Sequence, residues 1–171
     1  MNIEQSQDGT IHLDQNEYIQ SLQPISIEKP VDKNKKLSKY MFKKYRALTG
    51  QLSWAAEMTR PDLCFDAREL SSRNKDATYA DIKKANKILK KAQKEDVSIK
   101  FSHLGNLEDL KITAFTDSSY RNCPNKIKSI GGRYIALTNQ VGNASPLIWK
   151  SKTIQQVCKS VKTAETRSLE R

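Results

Sequence analysis

The hydrophobic pattern of this chain changes period once, near Asp96, and that change constrains the fold more than any other feature. Before it, apolar residues recur every three to four positions, the period of an amphipathic helix. Tyr45, Leu48, Leu52 and Ala55 or Ala56 mark one such face between Tyr40 and Glu57, with Trp54 adding bulk. Gly50 inside it predicts close helix packing. Leu63, Ala67 and Leu70 mark a second face running to about Ser72, introduced by Pro61, whose fixed φ suits a first helical turn. Ile82, Ala85, Ile88, Leu89 and Ala92 mark a third, from Thr78 to about Gln93, with lysines filling the rest of its surface.

After Asp96 the period falls to two. Val97 to Phe101, Leu110 to Thr116, Ile130 to Thr138 and Pro146 to Ser151 read as strands. The last two are joined as a hairpin through Asn139 to Ser145, and Ser160 to Arg171 begins a further helix. The 171 residues suffice for one domain or a small domain plus an arm. Residues Met1 to about Gly9 are polar and read as loose, and Thr10 to Leu13 as a short strand. Asp14 is placed to cap a short helix carrying Tyr18, Ile19 and Leu22. Pro24 to Lys39, proline- and lysine-rich, reads as an extended linker. The fold class expected is α/β (α+β), in three parts: an N-terminal arm and linker (1–39), a helical region (40–95) and a strand–helix region (96–171).

A net charge of +11 favours a polyanionic partner, most simply nucleic acid; a basic surface with no specific ligand is the plainer alternative. On the third helix Lys83, Lys84, Lys87 and Lys91 are placed to track phosphates, or merely to keep that face in water. Arg60, Arg68 and Arg133 read as ion-pair residues rather than phosphate ligands. Cys64, Cys123 and Cys158 are widely spaced and odd in number, which fits neither a zinc module nor a disulfide framework. Scattered thiols fit a reducing compartment, so an intracellular site, cytoplasm or nucleus, is expected. No apolar run approaches the roughly 18 residues of a membrane span, and the first residues do not form a signal peptide.

Two carboxylates stand in distinctive settings. Asp117 ends the strand Leu110 to Thr116, in Ala114-Phe115-Thr116-Asp117-Ser118-Ser119-Tyr120. Apolar residues on both faces of that strand predict a central, doubly covered position. Glu165, in Lys162-Thr163-Ala164-Glu165-Thr166, falls within the stripe Val161, Ala164, Ser168 and Leu169. An inward carboxylate needs a partner, and a divalent cation shared with Asp117 would supply one; magnesium or manganese suits such oxygen donors. The alternatives are ordinary: Asp117 caps the turn from Ser118 to Pro124, and Glu165 reaches water or a nearby Lys or Arg. Asp62, Asp66 and Asp81 read as helix caps and surface charges.

Several blocks together resemble the copia-type (Ty1/copia) retrotransposon Pol polyprotein, from the region after the polymerase into the ribonuclease H domain. They are Tyr45-Arg46-Ala47-Leu48-Thr49-Gly50-Gln51-Leu52-Ser53-Trp54, Thr59-Arg60-Pro61-Asp62-Leu63, Thr116-Asp117-Ser118-Ser119-Tyr120, Gly131-Gly132, Pro146-Leu147-Ile148-Trp149-Lys150-Ser151-Lys152 and Thr163-Ala164-Glu165-Thr166. The resemblance covers most of the chain from about Tyr40 onward. It implies a helical connection segment followed by a partial ribonuclease H-like mixed sheet with one flanking helix. Asp117 then matches the first catalytic Asp and Glu165 the catalytic Glu of a site that cuts the RNA strand of an RNA–DNA hybrid with two magnesium ions. The partners implied are the hybrid or other nucleic acid and the remaining Pol segments. No Tyr-x-Asp-Asp polymerase motif occurs, and the family's later acids have no counterpart before Arg171. The resemblance therefore implies a fragment or degenerate copy with an incomplete active site, inactive in isolation; the alternative is a non-catalytic, basic nucleic-acid-binding remnant.

Overall fold

The computed structural model describes residues 1–27, 32–120 and 128–169. Cys123, Pro124 and the turn expected there lie outside the described residues. The chain combines helices with two three-stranded sheets, a mixed α/β content as the sequence predicts. It divides into two compact units, 15–97, and 1–14 together with 98–171.

The first unit is helical. A short helix α1 (Asn16–Ser21) precedes the long α2 (Lys39–Met58), then α3 (Cys64–Ser72) and α4 (Tyr79–Lys94). Their apolar stripes meet, and Ile19, Tyr45, Leu52, Leu63, Leu70, Ile82 and Leu89 are all buried to within 1% of full enclosure. Tyr45 is tolerated at the centre because its hydroxyl donates to the Leu70 carbonyl at 2.8 Å. Pro61–Leu63 forms a 3-10 turn between α2 and α3, with Pro at its first position. α4 starts on a reciprocal capping box: the Asp81 carboxylate accepts from the Thr78 backbone N–H and hydroxyl, both at 2.8 Å. Asp14 does not cap α1; that position is Gln15, without a side-chain cap bond. The wall around Gly50 is open, with no atom within 4 Å of where a Cβ would stand, so the close packing expected there is absent.

The second unit is built from sheets. Residues 1–9 are not loose throughout: β1 (Asn2–Gln5) pairs antiparallel with β2 (Ile11–Asp14), and β2 with β3 (Ser98–Phe101). The other sheet has the order β4 (Lys111–Ser119), β5 (Ile130–Thr138), β6 (Ala144–Thr153). It is antiparallel throughout the described residues rather than mixed. The β5–β6 turn is closed by Asn139, whose side-chain oxygen accepts from the N–H groups of Val141 and Asn143, and by Gly142 at φ +90°. Helix α5 (Val161–Leu169) packs on this sheet through Ala164 and Ser168. Strand β4 is not the central, doubly covered strand expected. It pairs with β5 alone among the described residues, and Ile112 and Phe115, on opposite faces, are 73% and 62% exposed. Apolar residues on both faces of a strand signal burial only if something lies over both, which alternation cannot report.

Candidate nucleic-acid interface

Strand register fixes which side chains share a face of the β4–β5–β6 sheet. Directly opposed residues in an antiparallel pair point the same way. Asp117 lies opposite Gly132, and Phe115 opposite Tyr134, with their rings 6.3 Å apart. Asp117, Phe115 and Tyr134 therefore occupy one face. Gly131, Arg133, Lys150 and Lys152 occupy the other, since Gly131 opposes Lys152 and Arg133 opposes Lys150.

Helix α5 sits on this second face. A Cβ built on Gly131 would meet the Ser168 side chain at 3.1 to 3.3 Å, so glycine is what lets the helix approach. The Ser168 hydroxyl bridges the ends of two strands, reaching the carbonyl oxygens of Asp117 at 3.1 Å and Gly132 at 3.3 Å. Against the helix lies a cleft lined by Gly131, Gly132, Arg133, Lys150, Lys152, Thr153, Ile154, Arg167 and Ser168. Four of these are cationic and none is acidic. Arg133 and Arg167 are half-buried, and Lys150 and Lys152 are exposed. Lys150 and Lys152 reach solvent beside the cleft, which makes the surface around it positively charged.

The two carboxylates singled out by the sequence are placed differently. Asp117 is exposed, and its side chain accepts from the Ser118 N–H at 2.8 Å, the ordinary turn-capping arrangement. Glu165 is also exposed; the buried stripe of α5 runs through Ala164 and Ser168, a quarter-turn away. Val161, expected in that stripe, is 50% exposed. α5 lies over the face opposite the one to which register assigns Asp117, and the two carboxylates share no hydrogen-bond partner among the bonds described. No group of three or more His, Cys, Asp or Glu side chains gathers among the described residues. This donor set does not fit a pair of divalent ions, which needs several carboxylates converging on one place.

On α4, Lys83, Lys87 and Lys91 are exposed, in a stripe continued by Lys90 and Lys94. Lys84 differs, because its ammonium is 2.6 Å from the Glu69 carboxylate. Arg60 is an ion-pair residue, as its setting suggested. It is wholly buried, holds Asp62 through two 2.8 Å bonds, and donates to the carbonyls of Ala92 and Glu95 at the end of α4. Burial, with the nearby charges of Glu57 and Asp62, pushes the Cys64 thiol up to about 11, which keeps it protonated and unreactive. The sequence reading names none of Lys150, Lys152 and Arg167 as site residues, and gives Arg133 as an ion-pair residue. Hairpin register with side-chain alternation would have put Arg133, Lys150 and Lys152 on one face; only the seat of α5, which adds Arg167, needed the structure.

No helix among the described residues is long and apolar enough to cross a membrane. Comparison with protein-family models, with curated proteins and with solved structures finds no match to this chain.

Proposed function

We propose that this chain is a nucleic-acid-binding remnant of a copia-type Pol polyprotein, one that grips an RNA–DNA hybrid or similar duplex through phosphate contacts and does not cut it. The observation that carries the reading is the acid-free cleft of Arg133, Lys150, Lys152 and Arg167 against α5. The net charge of +11 and the exposed lysine stripe on α4 support it further. Hydrolysis by the ribonuclease H route needs several acids converging on two metal ions; Asp117 and Glu165 are both exposed, and no group of three or more possible ligands gathers among the described residues.

The test is binding and cleavage of a labelled hybrid by the full chain across a salt series, with magnesium, with manganese and with EDTA. Binding is expected in all three, and cleavage in none. Arg133→Gln with Lys152→Gln should weaken binding about tenfold and flatten the salt dependence by about two phosphate contacts. Lys83→Gln with Lys87→Gln should flatten it by a similar amount if α4 shares the grip. Metal-dependent cutting that Asp117→Asn abolishes would replace this reading with an active nuclease. Binding untouched by both double variants would remove the cleft and the α4 stripe from the account.

A further inference from the structure

The helical unit holds a concave surface of its own, a groove of about 450 Å³ between α2 and the segment that follows α1. That volume falls within the range of ligand pockets. Ala47 and Leu48 of α2 and Leu22 and Ile25 of the facing segment supply its apolar lining. The facing segment is fixed by α4. The Asn86 side chain accepts from the Ile25 N–H and donates to the Ile25 carbonyl, both at 2.9 Å. The Gln93 amide donates to the carbonyls of Ile19 at 3.1 Å and Leu22 at 2.9 Å. Both amides stand on α4, and Leu22 and Ile25 are buried. A wall held this way is organised before a ligand arrives, which lowers the cost of binding.

The side chains of the groove select its ligand. Ser21, Gln23, Ser26 and Gln51 line it with exposed hydroxyls and amides, which a hydrocarbon chain would strip of water and leave without partners. A nucleobase and its sugar offer such groups hydrogen bonds, and the base brings a flat face to an aromatic wall. Tyr18 supplies that wall, its ring edge-on to Trp54 with centroids 4.7 Å apart. Lys44 is the one cation among the lining residues, and none of them is acidic. Its ammonium sits 4.6 Å from the centre of the Tyr40 ring, one turn earlier on α2, and joins no ion pair among the described residues. One cation matches the single charge of a phosphodiester better than the near-double charge of a terminal phosphate. Tyr40 and Trp54 are 63% and 45% exposed, and they lie on one face of α2, about 21 Å apart along its axis. Bases on either side of the groove therefore meet aromatic surface as well.

We infer that this groove takes one unpaired nucleotide of a single-stranded nucleic acid, its base against Tyr18 and its phosphodiester at Lys44. The site lies in the helical unit and the cationic cleft in the sheet unit, so either can fail its test without the other.

The test is titration of the full chain, carrying Trp149→Phe, with a single-stranded oligodeoxyadenylate about eight nucleotides long, followed by the fluorescence of Trp54. The Tyr18–Trp54 contact puts that reporter beside the groove. A saturable change is expected with the single strand and none with a blunt duplex of the same sequence. Lys44→Gln should weaken binding about tenfold and lower the salt dependence by about one phosphate contact. Ala47→Leu places a larger side chain in the groove and should abolish the response. Ala47 is exposed on a helix, so folding is expected to be retained, which far-UV circular dichroism checks. No saturable response up to about 1 mM strand would overturn the inference. So would a response that survives both variants, one that the blunt duplex reproduces, or one that adenosine 5′-monophosphate matches at equal concentration, which would make the groove a mononucleotide pocket.

Discussion

The helical unit and the sheet unit reach comparable size by opposite means. In the helical unit four helices close a continuous apolar core, running from Ile19 and Leu22 through Tyr45, Leu52, Leu63 and Leu70 to Leu89 and Ala92. Among the described residues of the sheet unit the apolar cluster around α5 is Ile154, Cys158 and Ala164, with Tyr120 packed against it, while Ile99, Ile130 and Ala136 are buried outside that cluster. Hydrophobic stabilisation scales with apolar area removed from water, so the helical unit is the better-held one. The sheet unit instead leans on backbone ladders and on bonds such as Ser168 to the Asp117 carbonyl. The cationic cleft belongs to the less buried unit. Binding surfaces are drawn from such regions because they must stay accessible.

The strongest way to break this comparison is to remove equal bulk from each unit. Leu52 is fully buried in α2, whereas Ile112 in β4 is 73% exposed. Leu52→Ala should cost about 2–5 kcal/mol, the range for a truncated core leucine. Ile112→Ala should change stability by less than about 0.5 kcal/mol, as at other exposed positions. The chain carries a probe for each unit, since its two tryptophans are Trp54 in α2 and Trp149 in β6. Denaturation followed by fluorescence in Trp149→Phe and Trp54→Phe backgrounds separates the two. A Leu52→Ala loss no larger than the Ile112→Ala loss would end the claim that the core sits in the helices.

The same contrast explains what the sequence disclosed. The faces of α2, α3 and α4 were legible residue by residue, because a helix stripe needs only local spacing. Strand positions in β4, β5 and β6 were legible for a similar reason. Less legible was everything set by pairing across long separations. Asn2 to Gln5 carries a polar sequence and is held as a strand by β2, which in turn is held by β3 from the far side of the helical unit in sequence. The burial of β4 was overestimated because alternation reports the chemistry of a face, not its cover. The stripe Val161, Ala164, Ser168 and Leu169 predicts an inward Glu165; among the described side chains Ala164 and Ser168 are buried, Val161 is half-exposed and Glu165 is exposed. The basic cleft was overlooked because its cations come from three elements: Arg133 on β5, Lys150 and Lys152 on β6, and Arg167 on α5.

Within the sheet unit, the seat of α5 can be probed at a single atom. A Cβ added at Gly131 would lie 3.1 Å from the Ser168 hydroxyl oxygen, 3.3 Å from the Ser168 Cβ and 3.6 Å from Ile154. Ser168 has little room to yield, since its hydroxyl is engaged by two carbonyls. Gly131→Val should cost about 1–3 kcal/mol through overpacking, read on the Trp149 transition. It should also weaken hybrid binding, because Arg167 rides on the displaced helix. Unchanged stability would mean that α5 does not rest on Gly131.

A glycine in the other unit sharpens the comparison with the opposite sign. Gly50 lies inside α2, with helical neighbours on both sides and nothing within 4 Å of a Cβ position. It therefore gives up backbone entropy on folding without gaining any close approach in return. Gly50→Ala fills no space that another group occupies and lowers the conformational freedom of the unfolded chain. It should raise stability by about 0.5–1 kcal/mol, moving the Trp54 transition to higher denaturant with an unchanged slope. Two glycines that look alike in sequence thus answer differently: Gly131 is required by a neighbour, and Gly50 is not. If Gly50→Ala destabilised the Trp54 transition instead, α2 would be packed there against something the open surface around Gly50 does not reveal, and the helical unit would be the one with an unfilled interface.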